Sequence, residues 1–216
     1  MSGGRPREFC TEKALDQALD VFRRKGYEGA SLTDLTEAMH ITRPSLYAAF
    51  GNKEDLFRKA VDRYAANNSC SFNAALDMES ARDGIQALLL GVAEKQTDPT
   101  HPSGCLMVQG ALACGDEGEK MRAELAARRA GSESAIAARL ERAVAEGELP
   151  HDANPCDLAR YFSTVINGMA VQATGGATYE ALAKVALTAM KAWPSAAIHE
   201  TGVPTQSDRR GSESRQ

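Results

Sequence analysis

The sequence predicts an all-α fold. Three observations carry that prediction: apolar residues recur every three or four positions along nearly the whole chain, β-branched residues are sparse, and no useful length alternates apolar with polar residues. The 216 residues suffice for one compact domain or two small ones, and 43% hydrophobic with 25% charged residues is ordinary for a globular protein. No 18-residue apolar run is present, so no membrane-spanning helix is expected. The stretch from Met1 to Glu8 lacks the apolar centre of a signal peptide, which makes the cytoplasm the expected location. Five cysteines, Cys10, Cys70, Cys105, Cys114 and Cys156, are scattered and form no Cys-x-x-Cys pair. Neither a disulfide framework nor a zinc finger is expected from them.

The helices can be placed in order. Thr11 is a candidate cap for the first, which carries Ala14, Leu15, Ala18, Leu19 and Phe22 on one face and ends at Gly26. Ser31 to Asp34 reads as a capping box for a short second helix with Leu35, Ala38 and Met39 as its apolar face. After a break at His40-Ile41, Thr42 caps a third helix through Pro44, Leu46, Tyr47 and Phe50, with proline in the first turn where its missing N–H matters least. Gly51-Asn52 stops that helix, and Asn52 caps a fourth carrying Leu56, Phe57, Ala60, Val61 and Tyr64. Longer helices follow from about Ser80. One is marked by Ile85, Leu88, Leu89 and Val92, another by Met121, Leu125, Ile136, Leu140 and Val144. Leu158, Tyr161, Phe162, Val165, Ile166 and Met169 mark the next, and Tyr179 to Trp193 the last, which Pro194 ends. Between them lie a loop over 98–104, a short uncharged helix over Cys105 to Cys114, and a break over 147–155. From Ser195 the tail is polar and expected to be disordered.

Two short helices joined by a four-residue break form a helix-turn-helix pattern. The residues sharpen it. Thr33 to Phe57, with Ala18 to Gly29 before it and an arm at Gly4 to Arg7, resembles the DNA-binding signature of the TetR family of bacterial repressors over roughly residues 4–64. The resemblance implies an N-terminal three-helix DNA-binding domain followed by a larger helical ligand-binding and dimerisation domain. The expected divisions are a flexible basic arm at 1–10, the helix-turn-helix domain at 11–64, the ligand-binding and dimerisation domain at 65–194, and the tail at 195–216.

In such a domain the third helix enters the major groove with its leading residues toward base edges. Arg43 is then the candidate for base readout, since its fork can engage guanine O6 and N7 together. Pro44 can touch a thymine methyl, and Ser45 can bond a base or phosphate. Tyr47, Thr33, Thr42 and Lys53 are candidates for phosphate contacts, although Thr33 and Thr42 equally suit helix capping. Arg5 and Arg7 can follow the minor groove. Two positions depart from the family pattern: His40 stands where glycine is frequent, and Ala48 where a polar residue is. Residues 1–64 carry eleven Lys/Arg against ten Asp/Glu, and the rest carry fourteen against nineteen, so DNA binding here needs a local basic surface rather than a basic protein.

The second half is less explicit. The resemblance implies a homodimer through the last two long helices, whose wide apolar faces fit that role. Cys105 would lie in the first turn of its helix if Ser103 were the cap, a setting that favours a reactive thiolate and hence redox or electrophile sensing; a buried packing role is the alternative. Met107, Gln109, Tyr161, Asn167 and Gln172 place polar or polarisable atoms on largely apolar helices and are candidates for an effector pocket. His101, Cys105 and Cys114 lack tight metal-ligand spacing, and neither metal nor cofactor is expected. Gly-x-Ser-x-Gly, phosphate-loop, His-Glu-x-x-His and dinucleotide-binding patterns are missing. The expected function is therefore that of a DNA-binding regulator, a repressor released from a palindromic operator by a small ligand or thiol-reactive compound. An all-α enzyme and a helix-turn-helix activator are the alternatives.

Overall fold

The computed structural model describes residues 9–112, 115 and 118–194. Its α-helices are α1 (Thr11–Gly29), α2 (Leu32–Met39), α3 (Arg43–Phe50), α4 (Lys53–Leu76), α5 (Ala81–Thr97), α6 (Leu106–Gln109), α7 (Glu119–Ala145), α8 (Pro155–Thr174) and α9 (Tyr179–Ala189), and a 3₁₀ turn covers Met190–Ala192. No strand occurs among the described residues, as the periodicity predicts.

Most helix starts follow from short-range chemistry. Ser31 and Asp34 form a reciprocal capping box at α2, and Asn52 and Asp55 do the same at α4. Each box satisfies two backbone N–H groups that the first turn leaves without partners. Thr42, Ser80, Asn154 and Thr178 cap α3, α5, α8 and α9 through their side chains.

Several expectations need correction. Thr11 is the first residue of α1 rather than its cap; Cys10 occupies the cap position and makes no side-chain bond there. Gly26 does break α1, with φ 70° and ψ −177°, but a further helical turn follows to Gly29. Among the described residues of 105–112, only Leu106–Gln109 is helical, and Cys105 is the cap residue rather than part of the first turn. A single turn of four residues has too few aligned peptides for an appreciable macrodipole, so that argument for a reactive thiolate falls away. Cys114, Arg5, Arg7 and the tail from Ser195 lie outside the described residues.

Two buried clusters organise the molecule. The first joins α1–α4 through Phe22, Leu35, Leu46, Phe50 and Phe57. It also takes in Leu106, Met121 and Leu125, so α6 and α7 complete the core of the N-terminal unit. The second joins α5, α7, α8 and α9 through Ile85, Leu89, Ile136, Leu140, Phe162 and Leu182. Helix α4 runs without interruption through residues 64 and 65 and carries residues of both clusters. Ion pairs fasten it to its neighbours: Arg58 to Glu124 of α7 at 2.9 Å, Arg128 of α7 to Asp62 at 2.6 Å, and Arg63 to Asp16 of α1 at 2.9 Å.

Where α4 turns into α5, the close approach depends on a glycine. A Cβ built on Gly84 would meet the carbonyl oxygen of Ala75 at 2.3 Å. Alanine in a helix interior normally gains up to about 1 kcal/mol over glycine. Here the clash is with backbone, so Gly84→Ala is expected to lower stability by roughly 1–3 kcal/mol, read as a reduced urea midpoint.

Candidate nucleic-acid interface and interhelical cavity

Helix α3 buries Leu46 and Phe50 and leaves the opposite face open. Thr42, Arg43, Pro44, Tyr47, Ala48 and Ala49 are exposed and Ser45 is half-buried, with Tyr47 at 49%. Most DNA-binding candidates read from the sequence thus share one surface. Thr42 has both a capping bond from the Ser45 N–H at 3.3 Å and a hydroxyl contact with Ser45 at 3.0 Å. The Arg43 guanidinium does not stand alone: its Nη2 donates to the Thr33 hydroxyl at 2.9 Å, linking the start of α3 to α2. Lys53 opens α4 with its ammonium 4.7 Å from the Tyr27 ring centre, in a cation–π contact that holds it beside α1.

The turn between α2 and α3 is tight. His40 has φ 54° and ψ 40°, the left-handed conformation, and its N–H donates back to Glu37 and Thr36. A side chain in that region costs about 1–2 kcal/mol, whereas glycine's extra freedom in the unfolded chain costs about 0.5–1 kcal/mol. His40→Gly is therefore expected to raise stability by about 0.5–1 kcal/mol, measured as a higher thermal midpoint with the fold unchanged. Helix α2 is anchored at its other end by Asp34, whose carboxyl is lowered to about 2 by the hydrogen bond from Lys25 and by the bonds from Ser31.

Behind this unit, α4, α5, α7, α8 and the segment around α6 line a solvent-open cavity of about 720 Å³. Of the residues the sequence singles out, Cys105, Met107 and Asn167 line it. Gln109, Tyr161 and Gln172 do not. Gln109 points to α8, where its amide donates to the Ala170 carbonyl at 3.1 Å and to the Thr174 hydroxyl. Tyr161 and Gln172 are exposed and share one face of α8, turned by about 80–100° from buried Phe162. Residues that sequence reasoning missed complete the wall, among them Tyr64, Lys95, Gln96 and Arg129. Tyr64 also lines a smaller polar cavity of about 380 Å³ with Arg23, Asp98 and His101. Burial, and then the neighbouring Cys105, hold the Tyr64 phenol well above its ordinary pKa, so it is protonated beside the thiol.

The segment carrying Cys105 and Met107 also touches the α1–α4 unit. The Tyr27 N–H donates to the Gly110 carbonyl at 2.7 Å, and a Cβ at Gly26 would stand 3.3 Å from the same oxygen. The kink in α1 thus seats the end of α6 directly.

Comparisons with known proteins agree with this architecture. Residues 14–60 match the model for bacterial regulatory proteins of the tetR family, and residues 81–189 match a tetracyclin repressor-like C-terminal domain. The chain is 34% identical over 195 residues to the HTH-type transcriptional repressor ComR of Escherichia coli K12, covering 89% of this chain and 93% of that one. Among solved structures it resembles a cysteine-substituted TetR family transcriptional regulator, CifR, complexed with 26-base-pair operator DNA. The TM-score is 0.85 and the identity 43%, covering 88% of this chain and all of the other. A TetR regulator from Rhodococcus sp. RHA1 matches at 38% identity and a TM-score of 0.59, covering 84% of this chain and 97% of its own. With a family domain matched at each end, and a relative aligned over nearly its full length, the chain belongs to the TetR family of bacterial regulatory proteins as a DNA-binding regulator of transcription.

Proposed function

We propose that the protein is a homodimeric repressor that holds a palindromic operator through α3 and releases it when the cavity between α4, α5, α7 and α8 is occupied. The observation that carries the reading is the exposed leading face of α3, with Arg43, Pro44 and Tyr47 presented above a fully buried Leu46. The relative ComR is named a repressor, and CifR is described in complex with operator DNA.

Arg43 reads guanine, swinging from Thr33 to the base edge, and Thr33 positions it in the free protein. Pro44 meets a thymine methyl. Ser45, Tyr47, Thr33, Thr42 and Lys53 hold the phosphate backbone, and Arg5 and Arg7 extend along the minor groove. Residues 11–64 form the DNA-binding domain and 65–194 the ligand-binding and dimerisation domain, with α4 as their shared helix. Exposed Tyr161, Val171, Tyr179, Val185 and Leu187 on α8 and α9 supply the apolar face for pairing. Pairing would set two recognition helices about one DNA turn apart, roughly 34–36 Å.

Cys105, Met107 and Asn167 lie on the effector side, and the Cys105 thiol is where a thiol-reactive effector would attach. Equal operator release by an alkylating agent from the native chain and from Cys105→Ser would remove the thiol from this scheme. The function itself is tested by anisotropy titration of the full chain, over a range of salt, on DNA upstream of its own gene and on a scrambled control. Tight, salt-dependent binding with a two-protomer footprint is expected. Failure to prefer any sequence, including in a random-site selection, would overturn the reading.

A further inference from the structure

The wall of the large cavity has a charge pattern that selects its occupant. Among the described residues, Glu133 is its one acidic lining residue, and Arg160 pairs with it at 3.3 Å. Of the three basic ones, Arg128 is matched by Asp62 and Glu124. The other two have no carboxylate partner among the described residues. Lys95 donates to the Ser71 hydroxyl at 2.6 Å, and the Arg129 guanidinium donates through Nη1 to the Met107 carbonyl. A second, independent feature marks the wall as expecting a polar occupant. Gln96 is 4% exposed and lines the cavity, and its side-chain oxygen has no hydrogen-bond partner. As it stands that oxygen calls for a donor; turned over, the amide presents an N–H to the cavity instead. The rest of the wall is largely apolar, from Phe72, Leu88, Val92 and Ile136.

Resting on the reading that this cavity is the effector site, we propose that it takes an amphiphile with an apolar body and a carboxylate head, and that the head docks on Arg129. A guanidinium fork binds a carboxylate through two parallel N–H bonds, each about twice as strong as a bond to a neutral acceptor. A turned-over Gln96 amide can add an N–H to the same head, since its oxygen and nitrogen occupy equivalent shapes. The volume of about 720 Å³ falls within the roughly 300–1,000 Å³ of small-molecule sites.

The same docking explains release. Arg129 holds α7 to α6 through the Met107 carbonyl, and three residues on, the Gly110 carbonyl receives the Tyr27 N–H of α1. A carboxylate that engages both terminal nitrogens of Arg129 competes with the Met107 carbonyl. The short α6 segment is then free to shift against the α1 kink, and α1 carries the change to α2 and α3.

The test uses the full chain with octanoate, octan-1-ol and octyltrimethylammonium as probes of equal chain length and different charge. Binding is followed by calorimetry and operator release by anisotropy in the same samples. Octanoate is expected to bind at least tenfold tighter than octanol and to release operator, with the ammonium probe weakest. Arg129→Gln should erase the preference for octanoate over octanol, while Arg129→Lys, which keeps the charge, should retain it. A Cβ at Gly91, which lines the cavity, meets nothing within 4 Å, so Gly91→Phe should fill the space and abolish binding of octanoate and octanol alike. Octanol binding as tightly as octanoate, an unchanged preference in Arg129→Gln, or no octanoate binding by the native chain would each overturn the proposal. Operator binding without any octanoate response would sink the ligand class alone, whereas absence of operator binding in the unliganded chain would sink the repressor reading.

Discussion

Replacing Arg43 by alanine is expected to weaken binding to the preferred operator by about 1–3 kcal/mol, or roughly 5- to 150-fold, and to flatten discrimination at one base pair of each half-site. The expectation rests on position and chemistry together. Arg43 is the first residue of α3, exposed, and engaged by a neutral hydroxyl at 2.9 Å. At a helix N-terminus a cation faces the positive end of the peptide dipoles, so no gain in helix stability explains its presence. Removing it should leave the thermal midpoint nearly unchanged, which separates recognition from folding. Lys53→Ala provides the contrast. Without its ammonium to anchor a phosphate, binding should weaken evenly across sequences and the salt slope should fall by about one. Anisotropy titrations with the operator and single-base variants at several salt concentrations distinguish the two patterns. An Arg43→Ala protein that kept full selectivity would assign base reading to another side chain of α3.

The largest stability loss is expected at a residue far from DNA. Arg139 is 4% exposed in the middle of α7. Its Nη2 donates to the carbonyls of Met78 and Glu79 at 3.1 and 2.9 Å and to Glu148 at 3.0 Å. The other oxygen of Glu148 accepts from the Ala81 N–H, the first residue of α5, at 2.7 Å. One buried guanidinium and one carboxylate thus fasten the α4–α5 turn and the loop after α7 together. Removing the arginine takes a donor from two carbonyls and a carboxylate, the situation in which a broken buried pair is destabilising by about 3–5 kcal/mol. Arg139→Ala should therefore lower the thermal midpoint by on the order of 10 °C. Arg142→Ala, on the same helix but half-exposed, should move it by much less. A calorimetric scan of the two variants checks both expectations.

How far such features can be read without coordinates depends on the range of the interaction. The α2 capping box, the Thr42 cap, proline in the first turn of α3 and the left-handed turn at His40 are all legible, because each involves groups three or four residues apart. The α1 break at Gly26 is legible for the same reason. Arg139 leaves a trace, a charge three residues after Ile136 and four before Ala143 on an otherwise apolar face, but its partners at residues 78, 79 and 148 are not implied by that pattern. The extent of α4 beyond Tyr64 is hidden because the apolar spacing thins there, and packing against α5 sustains the helix instead.

The cavity shows the same division. Met107, Asn167 and Cys105 stand out as polar or polarisable atoms on apolar segments, yet Tyr161 fits that description equally well and faces outward. A shift of one residue turns a helical side chain by about 100°, and only packing decides which side is inside. Gln96 and Arg129 give no signal at all, since an unpaired amide and a cation without a carboxylate are defined by what stands around them. Most of the helices, the caps of α2, α3 and α4, the helix-turn-helix and the family are therefore written in the chain itself, as products of local bonding and periodicity. Which polar groups are desolvated together, how α6 is held between Arg129 and Tyr27, and where the cavity lies are settled by packing, because burial and distance between segments remote in the chain arise only when the helices come together.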